Sequence, residues 1–142
     1  MRGIYWSLFV CLAMFAVTFT LTSCDKDDDK IGSSTDLIGT WKLTVEKGYW
    51  IEDGEKETWE YGPELADISK IIFTRSIATV YDNEDVDDYE YTFDGNKLVI
   101  DPDYSPEIFK VTKLTSSELI FEYYEKEDNE EYYAQFFFKR VN

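Results

Sequence analysis

Trp41, Leu43 and Val45 are apolar, while Lys42, Thr44 and Glu46 between them are polar. A period of two places the first set on one side of an extended strand and the second on the other, so this segment predicts a half-buried β-strand. The same alternation returns in Tyr89-Glu90-Tyr91-Thr92-Phe93, in Leu119-Ile120-Phe121-Glu122-Tyr123 and in Tyr132-Tyr133-Ala134-Gln135-Phe136-Phe137-Phe138. Looser strand patterns cover Lys70 to Arg75, Ile77 to Tyr81, Lys97 to Ile100 and Ile108 to Thr112. Beyond Cys24 no segment carries a helical period, although Glu64 to Ser69 has the length of one short helical turn.

The connections between these runs are short, which favours antiparallel neighbours over a parallel sheet. Asp94-Gly95-Asn96 lies between two strand patterns, and Gly95 can adopt the positive φ that such a turn requires. Glu52-Asp53-Gly54 is a second turn; Asp82 to Asp88 and Lys126 to Glu131 read as charged loops, and Asp101 to Pro106 as a proline-bounded one. Eight to ten short strands in meander order predict an all-β, antiparallel barrel or sandwich; a closed barrel has the advantage of leaving no open edge.

The first residues follow a different pattern. Arg2 and the amino terminus precede an apolar run from Ile4 to Leu21, the arrangement of a secretory signal. An uncleaved membrane helix is the alternative, since the run approaches the roughly 18 residues such a helix needs. Leu21-Thr22-Ser23-Cys24 resembles the lipobox of bacterial lipoproteins, in which an apolar and two small residues precede a cysteine that is acylated and becomes the new first residue. The resemblance implies cleavage after residue 23, leaving 119 of 142 residues, and membrane attachment through lipid on Cys24. Asp25-Lys26-Asp27-Asp28-Asp29-Lys30 resembles the acidic tag that routes lipoproteins to the surface of two-membrane bacteria; a plain solvated linker is the other reading. The chain thus divides into a signal peptide (1–23), a lipidated cysteine with a flexible acidic tether (24–36) and a folded domain (37–142). Fully extended at ~3.3 to 3.6 Å per residue, Asp25 to Thr35 would reach roughly 40 Å from the bilayer.

Composition narrows the chemistry. Cys11 falls in the signal segment and Cys24 is consumed by lipid, so neither a disulfide nor a thiol nucleophile is expected in the domain. The chain has no histidine, which removes the usual general base and the standard zinc and copper sites. After cleavage, 13 basic residues against 30 acidic ones give a net charge of −17, a surface that repels nucleic acid.

A second resemblance spans the chain from Leu37 onward. Gly39-Thr40-Trp41, preceded by Leu37-Ile38, looks like the glycine-x-tryptophan start of the first lipocalin strand. Tyr91 to Leu98, Val111 to Leu119 and the closing Phe138-Lys139-Arg140-Val141 follow in the same order as in the small lipocalin-like lipoproteins of anaerobic two-membrane bacteria. This implies an up-and-down meander closed as a small lipocalin-like barrel of about eight strands, in which a basic residue of the last strand lies across the Trp41 ring. By position that residue is Arg140, with Lys139 as the fallback. The classical disulfides and long C-terminal helix have no counterpart after Val141.

The resemblance also implies a binding module for a small apolar or amphipathic ligand, with Leu43, Tyr91, Phe121 and Phe136 as inward positions. The alternative is a structural or protein-interaction subunit whose barrel is filled by its own side chains. Trp50 and Trp59 flank the Glu52 to Gly54 turn, where they either frame a pocket mouth or sit as hairpin pairs. Phe136-Phe137-Phe138 places aromatics on both faces of one strand, so Phe137 and Tyr133 are expected on the outer face, as pairing partners within the sheet or as a protein contact. Asp82 to Asp88 has oxygen ligands at close spacing but lacks the glycine and terminal glutamate of a calcium loop, and is expected to be a solvated charge run with no metal. No motif singles out a catalytic pair, and neither enzymatic activity nor a cofactor is expected. The tether implies the outer membrane, at the cell surface or on its periplasmic face.

Overall fold

The computed structural model describes residues 31–142, so the signal segment, Cys24 and the acidic run after it lie outside the described residues. A four-residue helix, α1 (Ser34–Leu37), is followed by nine strands: β1 (Gly39–Glu52), β2 (Glu55–Tyr61), β3 (Ile68–Phe73), β4 (Ile77–Asp82), β5 (Val86–Phe93), β6 (Lys97–Ile100), β7 (Glu107–Leu114), β8 (Glu118–Glu127) and β9 (Glu130–Val141). Every pairing is antiparallel, and neighbours in sequence are neighbours in the sheet except where β1 joins both β3 and β9 and so closes the barrel. The result is a closed eight-stranded barrel with one additional strand, β2.

β2 and β3 lie end to end along the same side of β1. Glu46 of β1 faces Tyr61, whereas Lys42, four residues earlier, faces Lys70, nine residues later. The additional chain leaves the sheet through the turn at Gly62 and Pro63, where Gly62 O accepts from the N–H groups of Leu65 and Ala66. These bonds close a single turn at residues 63–65, followed by a bend at 66–67, and Ile68 and Ser69 already belong to β3; the four-residue helix lies at Ser34–Leu37. The strand pattern at Glu55–Tyr61 contains only Trp59 and Tyr61 as apolar positions, which hides it from periodicity.

One irregularity changes what the interior contains. Leu43 faces Phe138 and Val45 faces Phe137, so Thr44 has no opposite residue and forms a β-bulge, its hydroxyl donating to Phe137 O at 3.1 Å. A bulge shifts the alternation by one. Before it, Trp41 and Leu43 face inward; after it, the inward set is Glu46, Gly48, Trp50 and Glu52. The simple alternation of the sequence would have placed Val45 inside and Glu46 outside, and the structure reverses both: Glu46 is 2% exposed. None of the buried side-chain polar atoms among the described residues lacks a hydrogen-bond partner.

The core is continuous. Leu37, Trp41, Leu43, Ile71, Phe73, Leu98, Val111, Leu119, Phe121 and Phe138 are almost fully buried, and Phe109 and Phe136 join them. At ~25 cal/mol per Å² of apolar surface removed from water, such side chains dominate the driving force for closure.

Candidate functional site

The two ends of the barrel differ. Turns 74–76, 94–96 and 115–117 gather at one end with α1, and the turns at 53–54, 83–85, 101–106 and 128–129 lie at the other.

At the first end Arg140 is held by three carbonyls. Its Nε donates to Ser116 O at 2.8 Å, Nη1 to Ile38 O at 2.8 Å and Nη2 to Asp36 O at 2.6 Å. Its guanidinium carbon is 4.3 Å from the centroid of the Trp41 ring, and Trp41 Nε1 donates to Leu37 O at 2.8 Å. Gly39 makes this possible: its φ is +142°, and a Cβ there would stand 2.3 Å from Arg140 Nη1. Gly39 gives the guanidinium room, Trp41 gives it a face, and α1 supplies carbonyls. α1 is itself fixed at its start, where Asp36 Oδ2 accepts from Ser33 N–H and Oγ–H. Ile31 and Gly32 then donate to Gly95 O, bringing the incoming chain onto this closed end.

Above this floor runs a column of rings. Phe121 lies 5.1 Å from Phe138, 5.2 Å from Phe136 and 4.9 Å from Phe109. Leu43, Phe121 and Phe136 thus belong to the packed interior, and Tyr91 packs edge-on against Phe73 with its hydroxyl donating to Thr74 O. These four inward residues meet one another or the neighbouring core.

At the open end β2, β1, β9 and β8 form a four-stranded sheet, and directly opposed residues share a face. Four rows cross its inner face. The deepest is Tyr61, Glu46, Phe136 and Phe121, followed by Trp59, Gly48, Ala134 and Tyr123. Next come Glu57, Trp50, Tyr132 and Glu125, and the rim row is Glu55, Glu52, Glu130 and Glu127. Gly48 is required here because Trp59 lies over it: a Cβ would be 2.8 Å from the indole and 1.9 Å from Tyr133 O. Lying flat, Trp59 stacks on Tyr132 at 5.3 Å, and Tyr132 meets the Tyr123 ring at 6.0 Å. Tyr123 also touches Phe109 at 5.7 Å, so this aromatic shelf stands on the column below.

Carboxylates surround the shelf. Tyr123 donates its hydroxyl to Glu125 Oε2 at 3.2 Å. Burial, with Glu127 and Glu130 nearby, pushes the Glu125 carboxyl up to about 7. Burial and the Asp101 charge do the same for Glu107, also to about 7. Tyr123 is raised well above the usual phenol range, first by burial and then by Glu125. At the rim, Asp53 N–H donates to Asn129 O, and an open cleft between the two turns is lined by Glu52, Asp53, Glu127, Asp128, Asn129 and Glu130.

Trp50 and Trp59 therefore occupy the inner face of the open end, partly buried. Sequence reading paired them across the turn but missed Tyr123 and Tyr132, which the β8–β9 register brings beside them. Phe137 and Tyr133 face outward, where Lys47 covers Phe137 at 4.9 Å and Tyr133 stacks on Tyr49 at 5.4 Å. The Asp82 to Asp88 run is not one open loop: Asp82 ends β4, Val86 to Asp88 begin β5 and only residues 83–85 turn, where the Asp82 carboxylate accepts from the N–H groups of Glu84 and Asp85, while Asp88 accepts from Thr79. Among the described residues no group of acidic side chains is arranged to hold a metal ion.

No curated protein and no solved structure matches the chain. Residues 37–121 match the family described as Lipocalin-like domain, a span running from the last residue of α1 into β8 that includes Gly39, Trp41, Phe109 and Phe121. With the closed antiparallel barrel and the Gly39, Trp41 and Arg140 floor already in place, the chain belongs to the lipocalin-like domain family.

Proposed function

We propose that this protein is a lipid-anchored lipoprotein of the outer membrane, displayed at the cell surface, whose barrel binds a small ligand at its open end. The observation that carries the binding reading is the asymmetry of the interior. One end is sealed by Arg140 on Trp41, the middle is filled by phenylalanines, and at the other end Trp50, Trp59, Tyr123 and Tyr132 are only partly buried on an inward-facing surface. Rigid aromatic faces of this kind supply contact area at low entropic cost. The anchor reading rests on Leu21 to Cys24 and on the acidic run that follows.

The test for binding is mass spectrometry of the chain purified without its first 23 residues, after exposure to lipid and bile-acid extracts. A ligand appears as added mass under native conditions that is lost on denaturation; the bare protein mass throughout would refute carriage. Replacing Cys24 by Ser is expected to release the protein from the membrane fraction. External protease on intact cells is expected to degrade the domain, and protection until the outer membrane is broken would move it to the periplasmic face.

The filled column supports a second reading, a non-carrier interaction subunit, in which the open end meets another protein. Persistent absence of small-molecule mass together with a stable co-purifying protein would favour it.

A further inference from the structure

The inner face of the four-stranded sheet at the open end has no basic residue between Glu46 and the rim, while the lysines of the same strand segments, Lys47, Lys56 and Lys126, all fall on the outer face. On that outer face the sheet already makes ammonium-on-ring contacts, with Lys56 Nζ 4.3 Å from the Tyr49 centroid and Lys47 Nζ 4.9 Å from that of Phe137. The inner face presents the same kind of aromatic surface, and none of the lysines of these strand segments lies on it.

We infer that the shelf formed by Trp59, Tyr132 and Tyr123, walled by Glu57 and Glu125, takes a small organic cation, an alkyl- or benzylammonium group, in preference to a neutral or anionic ligand. The inference rests on the ligand-binding reading above and narrows it to a chemical class. Two terms favour the cation. Ring faces carry negative potential and attract ammonium groups within about 6 Å of their centroids. In addition, four glutamates stand opposite one another across the rim and no described basic residue of these strand segments lies on that face, so negative charge gathers where a ligand would enter. The Glu125 carboxyl is raised first by burial, and Glu127 and Glu130 add like-charge repulsion to it. A carboxylate ligand would have to pass this rim and lie beside Glu57 and Glu125, which selects against it.

Three probes of matched size separate the terms: benzyltrimethylammonium, its neutral isostere neopentylbenzene, and phenylacetate. Calorimetric titration of the full chain is expected to show saturable one-to-one binding of the ammonium, with the other two at least roughly tenfold weaker. Trp59→Leu is expected to weaken ammonium binding roughly two- to thirtyfold, and Glu57→Gln or Glu125→Gln roughly two- to fivefold each. Glu60→Gln removes the same charge from the outer face, where Glu60 stands opposite Lys47, and is expected to leave affinity unchanged.

If Glu60→Gln weakens binding as much as Glu57→Gln, the ammonium responds to total charge and the site is refuted. If neopentylbenzene binds as tightly as the ammonium and with the same dependence on Trp59, the ligand-binding reading stands and the preference for cations falls. Should Trp59→Leu fail to fold, the exposed Glu57 and Glu60 variants still decide.

Discussion

The floor of the barrel rests on Arg140, and its replacement gives a prediction whose size can be worked from the contacts. Three hydrogen bonds to carbonyls and one guanidinium-ring contact are lost in Arg140→Ala. Bonds to a charged donor reach about 1.5 to 3 kcal/mol when fully buried, but Arg140 is partly exposed and water can replace it at the carbonyls, so roughly 0.5 to 1 kcal/mol each is the appropriate scale. Adding about 0.5 to 1 kcal/mol for the ring contact gives a loss of roughly 2 to 4 kcal/mol. Arg140→Lys keeps the charge but cannot present three donors in a fork, so about half of that loss is expected. Urea denaturation followed by tryptophan fluorescence measures both, with the midpoint falling and the slope unchanged. If Arg140→Lys matches wild type within about 0.3 kcal/mol, the fork geometry is not what holds the floor and the reasoning fails.

Gly39→Ala should be destabilising by at least about 2 kcal/mol, combining a strained φ with the clash on Arg140; in an Arg140→Ala background the clash disappears and the cost should fall by about half, a coupling read from a double-mutant cycle. Gly48→Ala, whose Cβ would strike Tyr133 O and the Trp59 indole, should cost about 1 to 3 kcal/mol and alter Trp59 emission, and a silent substitution would contradict the close packing there. Glu107, raised to about 7, holds its proton in the folded state at pH values where the unfolded chain has lost it. Its contribution is therefore full below about pH 4.5 and lost as pH rises through 7, a decline of up to about 3 kcal/mol. Glu107→Gln should flatten the stability difference between pH 5 and pH 8, and an unchanged difference would assign it elsewhere.

Much of the barrel can be read from the chain because period-two patterning survives wherever one strand face is buried. Trp41 to Leu43, Tyr89 to Phe93, Leu119 to Tyr123 and Tyr132 to Phe138 all show it, and Asp53-Gly54, with φ values of +51° and +85°, turns as its composition predicts. The bulge at Thr44 could not be read, because a single inserted residue leaves composition unchanged and only the partner strand reveals the shift. That shift put Glu46 inside and set the parity of every later β1 residue. β2 escaped because two of its four inner positions, Glu55 and Glu57, are glutamates, which leaves only Trp59 and Tyr61 as an apolar stripe too short to read. Lys126 to Glu131 read as a loop because it is charged, yet only Asp128 and Asn129 turn, with Asp128 at φ +43°. The Trp59, Tyr132 and Tyr123 shelf joins residues more than sixty positions apart, and only the register brings them together.

The attachment of Ile31 and Gly32 to Gly95 sets a direction. It leaves six residues, Asp25 to Lys30, between the proposed anchor at Cys24 and the first backbone group held by the barrel, a leash of roughly 20 Å at full extension. That leash leaves from the sealed pole. Lipid at Cys24 would thus seat the barrel floor-down on the bilayer, with the glutamate rim at the far pole, turned toward the medium and away from the headgroups. What enters the mouth would arrive from solution, not by lateral transfer out of the membrane beneath.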